Sequence, residues 1–295
     1  MMFSTSVHAL TEWSQPVKTF RQVLREAAEL GFGGIMLMHL PGQEGITAGS
    51  DPRAAMIDME QSDLSAVQAA VREAGLQIAC LYQGLMRVAD EAQALQTTAA
   101  LSRLVDLAVE LGTDIVLPNA GAMPAPLMDC CDKEPDLQRL VEVVRQVLET
   151  APADIKIAPD IHYQGVLETV ADCCRYFDLI PDQRAGITLN IGHMTTLRQE
   201  GWKLLEDYPE RVHVVAWKDH LLQPPPEHKH AVYSVELGTG DSPFERYVDV
   251  LPADGGQHTH MITLEHVPLE QKPAALGRSL KYMQELFAKR QQATQ

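Results

Sequence analysis

The chain has 295 residues, 45% of them hydrophobic and 22% charged, and a net charge of −16 at pH 7. This composition is typical of a globular protein with a sizeable core, and it excludes a disordered or low-complexity chain. The excess of acidic groups repels phosphate backbones and anionic lipid headgroups, so neither nucleic acid nor a membrane is an expected partner.

Short apolar segments alternate along the whole chain with amphipathic segments of helical periodicity. Eight segments have the length and composition of strands, at residues 3–9, 34–39, 77–82, 114–118, 154–162, 186–191, 212–218 and 260–265. Helical spacing is found at residues 17–30, 64–74, 94–111, 137–150, 167–179, 197–208 and 272–288. A long loop at 221–236 and a short helix at 243–251 are predicted before the eighth strand.

Regular strand–helix alternation predicts parallel strands joined by right-handed crossovers. Eight such units favour an α/β fold, a single (β/α)8 TIM barrel that spans residues 1–295 as one domain. A doubly wound open sheet is the alternative, but a glycine-rich phosphate loop does not follow the first strand. The N-terminus lacks the pattern of a signal peptide and the five cysteines lack that of a disulfide framework, so we expect a cytoplasmic protein.

The active site of a TIM barrel lies at the carboxyl ends of its strands. Here those ends carry many ionisable and amide side chains, which are His8, His39, Tyr82, Gln83, Asn119, Asp160, His162, Tyr163, Asn190, His193, Lys218, Asp219, His220, Glu265 and His266. Loops are polar in general, so any one of these residues could be structural, and His8 and His39 could simply bond the backbone at the rim. As a set, carboxylates, imidazoles and one lysine on one rim favour a catalytic or metal site.

Strand geometry narrows this set, because side chains alternate between the two faces of a strand. Asp160 and His162 share one face of the fifth strand, and Lys218 shares a face of the seventh with Ala216. Two carboxylates, Asp160 and Glu265, with a lysine or a metal ion between them would suit proton transfer next to a carbonyl.

Four pieces of the sequence resemble the xylose isomerase-like TIM-barrel superfamily of sugar phosphate isomerases and epimerases. LGFGGIML at 30–37 resembles the second strand of that family. LNIGH at 189–193 resembles its LDxGH motif, and VAWKD at 215–219 resembles its HxKD motif. LGTGD at 237–241, with ITLE at 262–265, resembles the motifs around the eighth strand. The resemblance covers nearly the whole chain and implies a barrel enzyme acting on a small carbohydrate.

The resemblance also implies one divalent metal ion, Mn, Co, Zn or Mg, held by carboxylates on the fifth, sixth and eighth strands and a histidine on the seventh. The matching positions are Asp160, Asn190, Glu265 and Ala216, so an amide and a methyl group replace two of the usual ligands. A glutamate common on the second strand is replaced by Met36.

Three hypotheses remain open for this altered site. A metal ion could bind with His162, His193 or His220 as replacement ligands. The enzyme could work without a metal, with Lys218 supplying the positive charge for an enolate. The barrel could also have lost catalysis and kept sugar binding.

We therefore expect an isomerase or epimerase that acts on a sugar, sugar phosphate or keto-acid by proton abstraction next to a carbonyl. Asp160 and Glu265 are the acid/base candidates, and Lys218 is expected to stabilise the enediolate. Substrate contacts are assigned to His193, His162, His8, Tyr82 and Asn119, and metal ligation to Asp160, Asn190, Glu265 and His193.

Two alternatives to this activity are a lyase or dehydratase acting on a keto-sugar or polyol, and an inactive sugar-binding barrel. The turn at 238–241 resembles a phosphate cradle, although a plain loop fits it equally well. The expected partner is a small carbohydrate. The long loops at 120–136 and 221–236 are expected to shape the pocket, and either could meet a partner subunit in a homo-oligomer.

Overall fold

The structure, a computed structural model, describes residues 1–11, 18–47, 50–52, 56–84, 86–119 and 132–293. This part of the chain contains eight parallel strands, at Phe3–Ser6 (β1), Gly34–Met38 (β2), Gln77–Gln83 (β3), Ile115–Pro118 (β4), Lys156–Ile157 (β5), Ile187–Asn190 (β6), Val212–Trp217 (β7) and Thr259–Ile262 (β8). Residues 120–131, in the first of the two predicted long loops, lie outside the part of the chain that the structure describes.

The strands follow one another around a nearly closed barrel. Their hydrogen-bonded order is β5-β4-β3-β2-β1-β8-β7-β6, so the first strand pairs with the last. Single parallel bridges, Ile157 to Ala185 and Asp160 to Thr188, connect β5 to β6 across the remaining gap. This arrangement is the (β/α)8 barrel, and it confirms the predicted fold.

Helices surround the barrel on its outer side. In the described residues they are Phe20–Glu29 (α1), Leu64–Glu73 (α2), Glu91–Leu111 (α3), Glu134–Thr150 (α4), Val170–Leu179 (α5), Ile191–Thr196 (α6), Trp202–Asp207 (α7), Phe244–Val250 (α8) and Lys272–Ala293 (α9). Their ends follow local chemistry. Thr19 and Gln22 form a capping box that starts α1, and Gly112 ends α3 in the left-handed conformation.

The first and fifth strands are much shorter than predicted. The first ends at Ser6 because residues Val7–Leu10 turn into a 3-10 helix, which carries His8. The fifth is regular only over Lys156–Ile157, since Pro159 has no N–H to donate to a neighbouring strand. Asp160 is nevertheless held in the sheet by its bridges to Asn119 and Thr188.

The helix predicted at 197–208 is wrong as a single element. The chain forms α6 directly after β6, and then α7 after a turn in which Arg198 has a φ of 54°. His193 therefore lies in a helix rather than in a loop after the strand.

Side chains on β7 show which face of the strand points into the barrel. Trp217 is fully buried and its ring lies 5.9 Å from Phe244 on α8 and 5.8 Å from Phe287 on α9. Because neighbouring residues alternate, Ala216 and Lys218 face the barrel interior. In the described residues no helix combines the length and apolar character needed to span a membrane.

Candidate active site

A cavity of about 100 Å³ lies inside the barrel at the carboxyl ends of the strands, and we call it the central cavity. Its polar side chains are His8, Tyr82, Asp160, His162, Asn190, Lys218, Thr263 and Glu265. Its apolar wall is made of Met36, Met38, Leu117 and Met261. Strands on opposite sides of the barrel supply these residues, which are far apart in sequence and converge through barrel closure.

Larger cavities lie away from this centre. One of about 440 Å³ is lined by residues of the β2 and β3 ends and of α3, including Gln83 and Arg87. Another of about 370 Å³, which includes His213, is at the amino-terminal end of the barrel. The central cavity is the better candidate despite its size, because two partly buried carboxylates and a buried lysine meet there at the functional end of the barrel.

Lys218 and Glu265 form an ion pair across the cavity wall. The Lys218 Nζ lies 2.5 Å from Glu265 Oε1, and the two side chains are 4% and 32% exposed. The same carboxylate oxygen lies 3.6 Å from His8 Nε2. Burial alone would raise the pKa of Glu265, but the Lys218 ammonium and His8 hold that pKa well below its usual range. Glu265 is therefore an ionised partner of Lys218.

Asp160 has the opposite environment. Its Oδ1 accepts a hydrogen bond of 3.2 Å from the Asn190 amide nitrogen. Burial raises the pKa of Asp160, while the charges of His162 and Lys218 and the Asn190 bond oppose that rise. The two carboxylates of one cavity thus differ in protonation behaviour, as acid/base pairs in active sites do.

His162 presents one ring nitrogen to the cavity. Its Nδ1 lies 2.7 Å from the Tyr163 carbonyl oxygen, which can only accept, so this nitrogen carries the proton. Neutral His162 consequently has its lone pair on Nε2. That atom can accept a hydrogen bond from a substrate hydroxyl.

His193 lies behind His162 instead of lining the cavity. The two rings are 3.9 Å apart between centroids, and His193 is fully buried. Its Nδ1 accepts a hydrogen bond from the Tyr163 N–H, so Nε2 carries the proton. Burial lowers the pKa of His193 well below its ordinary value. In this position the His193 ring packs against the His162 ring and has no contact with the cavity.

His220 packs edge-to-face against His193 and completes a cluster of three imidazole rings. Its ring is 5.1 Å from that of His193, and its Nδ1 lies 2.8 Å from Thr196 Oγ1. Burial lowers the pKa of His220 to about 2. A Cβ on Gly192 would lie 2.7 Å from this ring, so the glycine of the LNIGH segment makes room for it.

The remaining predicted contacts are placed at the edge of the site. Tyr82 lines the cavity, and Asn119 hydrogen-bonds with its side chain from the end of the neighbouring strand. Burial and the nearby Asp160 charge raise the pKa of the Tyr82 phenol. Strand alternation could have predicted the apolar wall residues Met38, Leu117 and Met261, which the sequence analysis did not single out.

The turn at 238–241 is already bonded to the protein's own carboxylate. Asp219 Oδ2 accepts hydrogen bonds from the N–H groups of Gly238 and Gly240, at 2.9 and 2.8 Å, and Oδ1 accepts one from Ser242 at 3.0 Å. Asp219 therefore fills the backbone cradle that resembled a phosphate site, and it fixes the loop that follows β7.

The donor groups around the cavity do not fit a divalent metal ion. In the described residues no three His, Cys, Asp or Glu side chains are grouped as ligands. Glu265 is paired with an ammonium, Asn190 directs its N–H₂ to Asp160, and Ala216 offers no donor atom. Divalent ions need several anionic or neutral donors on one point, which this arrangement does not offer.

Comparison with solved structures shows the same fold in proteins of low sequence identity. L-ribulose 3-epimerase is 15% identical with a TM-score of 0.75, over 100% of this chain and 97% of the other. IolI, solved with a bound zinc atom, is 14% identical with a TM-score of 0.74, over 98% and 99%. AsbF from Bacillus anthracis, described as the "probable 3-DHS dehydratase", is 13% identical with a TM-score of 0.69, over 95% and 99%.

A comparison with curated proteins finds no match. A sequence model of one protein family, described as xylose isomerase-like TIM barrel, matches residues 24–286. The match covers most of the chain and agrees with the barrel described above. The chain therefore belongs to the xylose isomerase-like TIM-barrel family.

Proposed function

We propose that the barrel is an isomerase or epimerase that transfers a proton at the carbon next to the carbonyl group of a small carbohydrate. The observation that carries this proposal is the convergence of Asp160, Lys218 and Glu265 on the central cavity. Structural neighbours of the same fold include a sugar epimerase. Glu265 already balances the charge of Lys218, so the Asp160 carboxylate gives the cavity a net negative charge. An uncharged sugar therefore fits the cavity better than an anionic one.

Asp160 is the proposed base. A partly buried carboxylate with a raised pKa binds a proton more strongly than an ordinary aspartate, which suits proton abstraction from carbon. Asp160 takes the proton from the carbon next to the carbonyl, and the electron pair of that C–H bond moves to give an enediolate. Return of the proton from Asp160 to the neighbouring carbon, with transfer of the hydroxyl proton between the two enediolate oxygens, gives an isomer. An epimer needs a proton on the opposite face of the original carbon, which a water molecule donates there while Asp160 releases its own proton to solvent.

Lys218 is the proposed partner of the developing oxyanion. One of its N–H groups is bonded to Glu265, which leaves the others to bind the carbonyl oxygen. The ion pair fixes the ammonium before the substrate arrives, so little reorganisation is needed as charge develops. No step of this proposal passes through a metal ion.

His162 and Asn190 are the proposed contacts for substrate hydroxyls. His162 offers the lone pair of Nε2, as its other nitrogen is bonded to Tyr163. Asn190 Oδ1 is buried and has no hydrogen-bond partner among the described residues. Both atoms are acceptors, so they suit the O–H groups of a polyol or sugar.

A dehydratase is the second candidate, favoured by the structural likeness to AsbF. It shares proton abstraction by Asp160 but then expels a β-hydroxyl group as water, so the product is unsaturated. Product analysis by mass spectrometry separates the two, because loss of water changes the mass whereas isomerisation does not.

Exchange of the carbon-bound proton tests the proposal most directly. L-ribulose and a panel of other ketopentoses and ketohexoses are incubated in D₂O, and loss of the proton next to the carbonyl is followed by NMR. Asp160→Asn is expected to slow exchange by about 10²–10⁴-fold, the range for loss of a general base. Asp154→Asn is the matched control, since Asp154 is exposed before β5.

Two results would count against this function. Equal exchange by wild type and Asp160→Asn would remove Asp160 from the reaction. Absence of exchange with every sugar, together with measurable sugar binding, would favour a barrel that binds without catalysis.

A further inference from the structure

We infer that Lys218 replaces a divalent metal ion in this barrel, so the protein carries its electrophilic charge as a built-in ammonium. The inference concerns cation binding alone and stands independently of the proposed reaction. IolI, a protein of the same fold, was solved with a bound zinc atom, whereas the side chains of the central cavity here do not form a metal-binding group among the described residues.

The first observation is the position of the ammonium. Lys218 Nζ is 2.5 Å from Glu265 Oε1, and its side chain is 4% exposed. The same oxygen faces His8 Nε2 at 3.6 Å. A metal ion bound by this carboxylate oxygen would displace the lysine and face a second positive charge at close range. Repulsion between like charges in a buried cavity is strong, so the two cations exclude one another.

The second observation is the orientation of Asn190. Its N–H₂ group donates to Asp160 Oδ1 at 3.2 Å, so the amide serves the carboxylate as a donor. A metal ligand would direct a lone pair to the cation instead. The remaining Oδ1 of Asn190 is buried without a hydrogen-bond partner among the described residues. This arrangement suits a ligand O–H group next to Asp160.

The third observation is the absence of donors where a metal would need them. Ala216 lies on β7 two residues before Lys218 and faces the barrel interior with a methyl group. Met36 lines the cavity on the opposite side with a thioether, a soft ligand that Mn²⁺ and Mg²⁺ disfavour. Among the described residues of the cavity, Asp160 and the lone pair of His162 Nε2 then remain as donors that are not already paired with Lys218. One carboxylate and one imidazole do not hold a divalent ion in competition with water.

The same side chains determine which ligands the cavity can bind. An ammonium with free N–H groups, the buried acceptor of Asn190 and the lone pair of His162 complement a compound with one carbonyl and several hydroxyl groups. The chemical class is a small uncharged hydroxy-carbonyl compound, bound without metal chelation.

Direct cation binding tests the inference. Purified wild-type protein is titrated with MnCl₂ and ZnCl₂ by isothermal calorimetry, and its metal content is measured by elemental analysis after dialysis. We expect no stoichiometric binding of either ion at the cavity, and no change in either measurement for Glu265→Gln. About one equivalent of Mn²⁺ or Zn²⁺ in wild type, lost in Glu265→Gln, would overturn the inference.

A rebuilt site supplies the complementary measurement. The triple variant Lys218→Met, Asn190→Asp, Ala216→His removes the ammonium and adds an anionic and an imidazole ligand beside Asp160 and Glu265. We expect it to gain about one equivalent of Mn²⁺ or Zn²⁺, with a rise in Tm on metal addition. Lys156→Met, on β5 at the opposite end of the barrel, is the matched control and should bind like wild type.

Folding of the variants is checked by circular dichroism. If the triple variant does not fold, the same titration is made with the double variant Lys218→Met, Asn190→Asp. This variant keeps Ala216, and its two substitutions nearly conserve side-chain volume. A folded variant without Lys218 that still binds no metal would overturn the assignment of Lys218 as the group that excludes it.

Discussion

Burying the charge of Lys218 or of Glu265 alone would cost free energy, and the attraction between the two charges offsets part of that cost. The lysine side chain is almost completely enclosed, whereas the carboxylate keeps about a third of its surface in contact with solvent. Removing either partner leaves a charge without its counter-ion in a partly dry cavity. The pair is therefore a stability element of the barrel as well as part of the proposed site.

A double-mutant cycle measures this dependence. Lys218→Met and Glu265→Gln should each lower the free energy of unfolding, and the double variant should lose about 1–2 kcal/mol less than the sum. The estimate is at the lower end for a buried pair because Glu265 is partly solvated. Urea unfolding of the four proteins gives the coupling energy.

The exposed pair Lys203 and Glu200 is the matched control for this cycle, since its side chains are 51% and 55% exposed. Lys203→Met and Glu200→Gln should show a coupling below about 0.5 kcal/mol. Equal coupling energies for the two pairs would mean that the central ion pair is solvated like a surface pair.

At the scale of elements, α6 begins where the sequence predicts the last strand residue, and this places Gly192 against a buried ring. A Cβ at this position would lie 2.7 Å from the Cδ2 and Nε2 atoms of His220. The ring cannot retreat easily, because it is fully buried and bonded to Thr196. Close packing of α6 on the cluster of imidazole rings thus depends on the absence of a side chain at Gly192.

Gly192→Ala should lower the free energy of unfolding by about 1–3 kcal/mol, the usual cost of overpacking a core. Gly277→Ala is the matched control. Its Cβ would meet only the flexible Leu30 Cδ2 at 3.3 Å, within α9. Alanine also favours a helix over glycine, so this variant should unfold at the same or a higher urea concentration. Similar losses for both variants would contradict the role given to His220.

The sequence predicted the barrel well because eight strand–helix units repeat one local pattern. It predicted the fifth strand and the 197–208 helix poorly, as a proline and a left-handed Arg198 interrupt them without changing the apolar periodicity. The strand-end rule identified Asp160, Lys218 and Glu265. The packing of the His162, His193 and His220 rings and the pairing of Lys218 with Glu265 depend on side-chain contacts between elements of the barrel that linear spacing does not encode.

At the scale of the whole molecule, several histidines are buried in neutral form at both ends of the barrel. Burial lowers the pKa of His193 well below its ordinary value and that of His220 to about 2 at the carboxyl end. At the amino end it lowers the pKa of His213 and His260 to about 4 each. In the unfolded chain all four return to an ordinary pKa of about 6.5.

These shifts predict a fold that loses stability in mild acid. Below about pH 6.5 the unfolded chain binds protons at these imidazoles while the folded chain does not, so the equilibrium moves toward unfolding as the pH falls. Each histidine that is protonated in the unfolded chain but not in the folded one lowers the free energy of unfolding by roughly 1.4 kcal/mol for each pH unit. Asp160 and Asp219, whose pKa values are raised by burial, act in the opposite direction at the acidic end of the range.

Urea unfolding between pH 8 and pH 5 checks this prediction. The free energy of unfolding should be nearly constant from pH 8 to 7 and should then fall with increasing slope toward pH 5. His213→Gln removes one of the four groups far from the central cavity, so it should reduce the slope near pH 5 by about one proton equivalent, or roughly 1.4 kcal/mol per pH unit. A free energy of unfolding that stays constant down to pH 5 would mean that these imidazoles titrate normally in the folded protein, and that the barrel admits water to them.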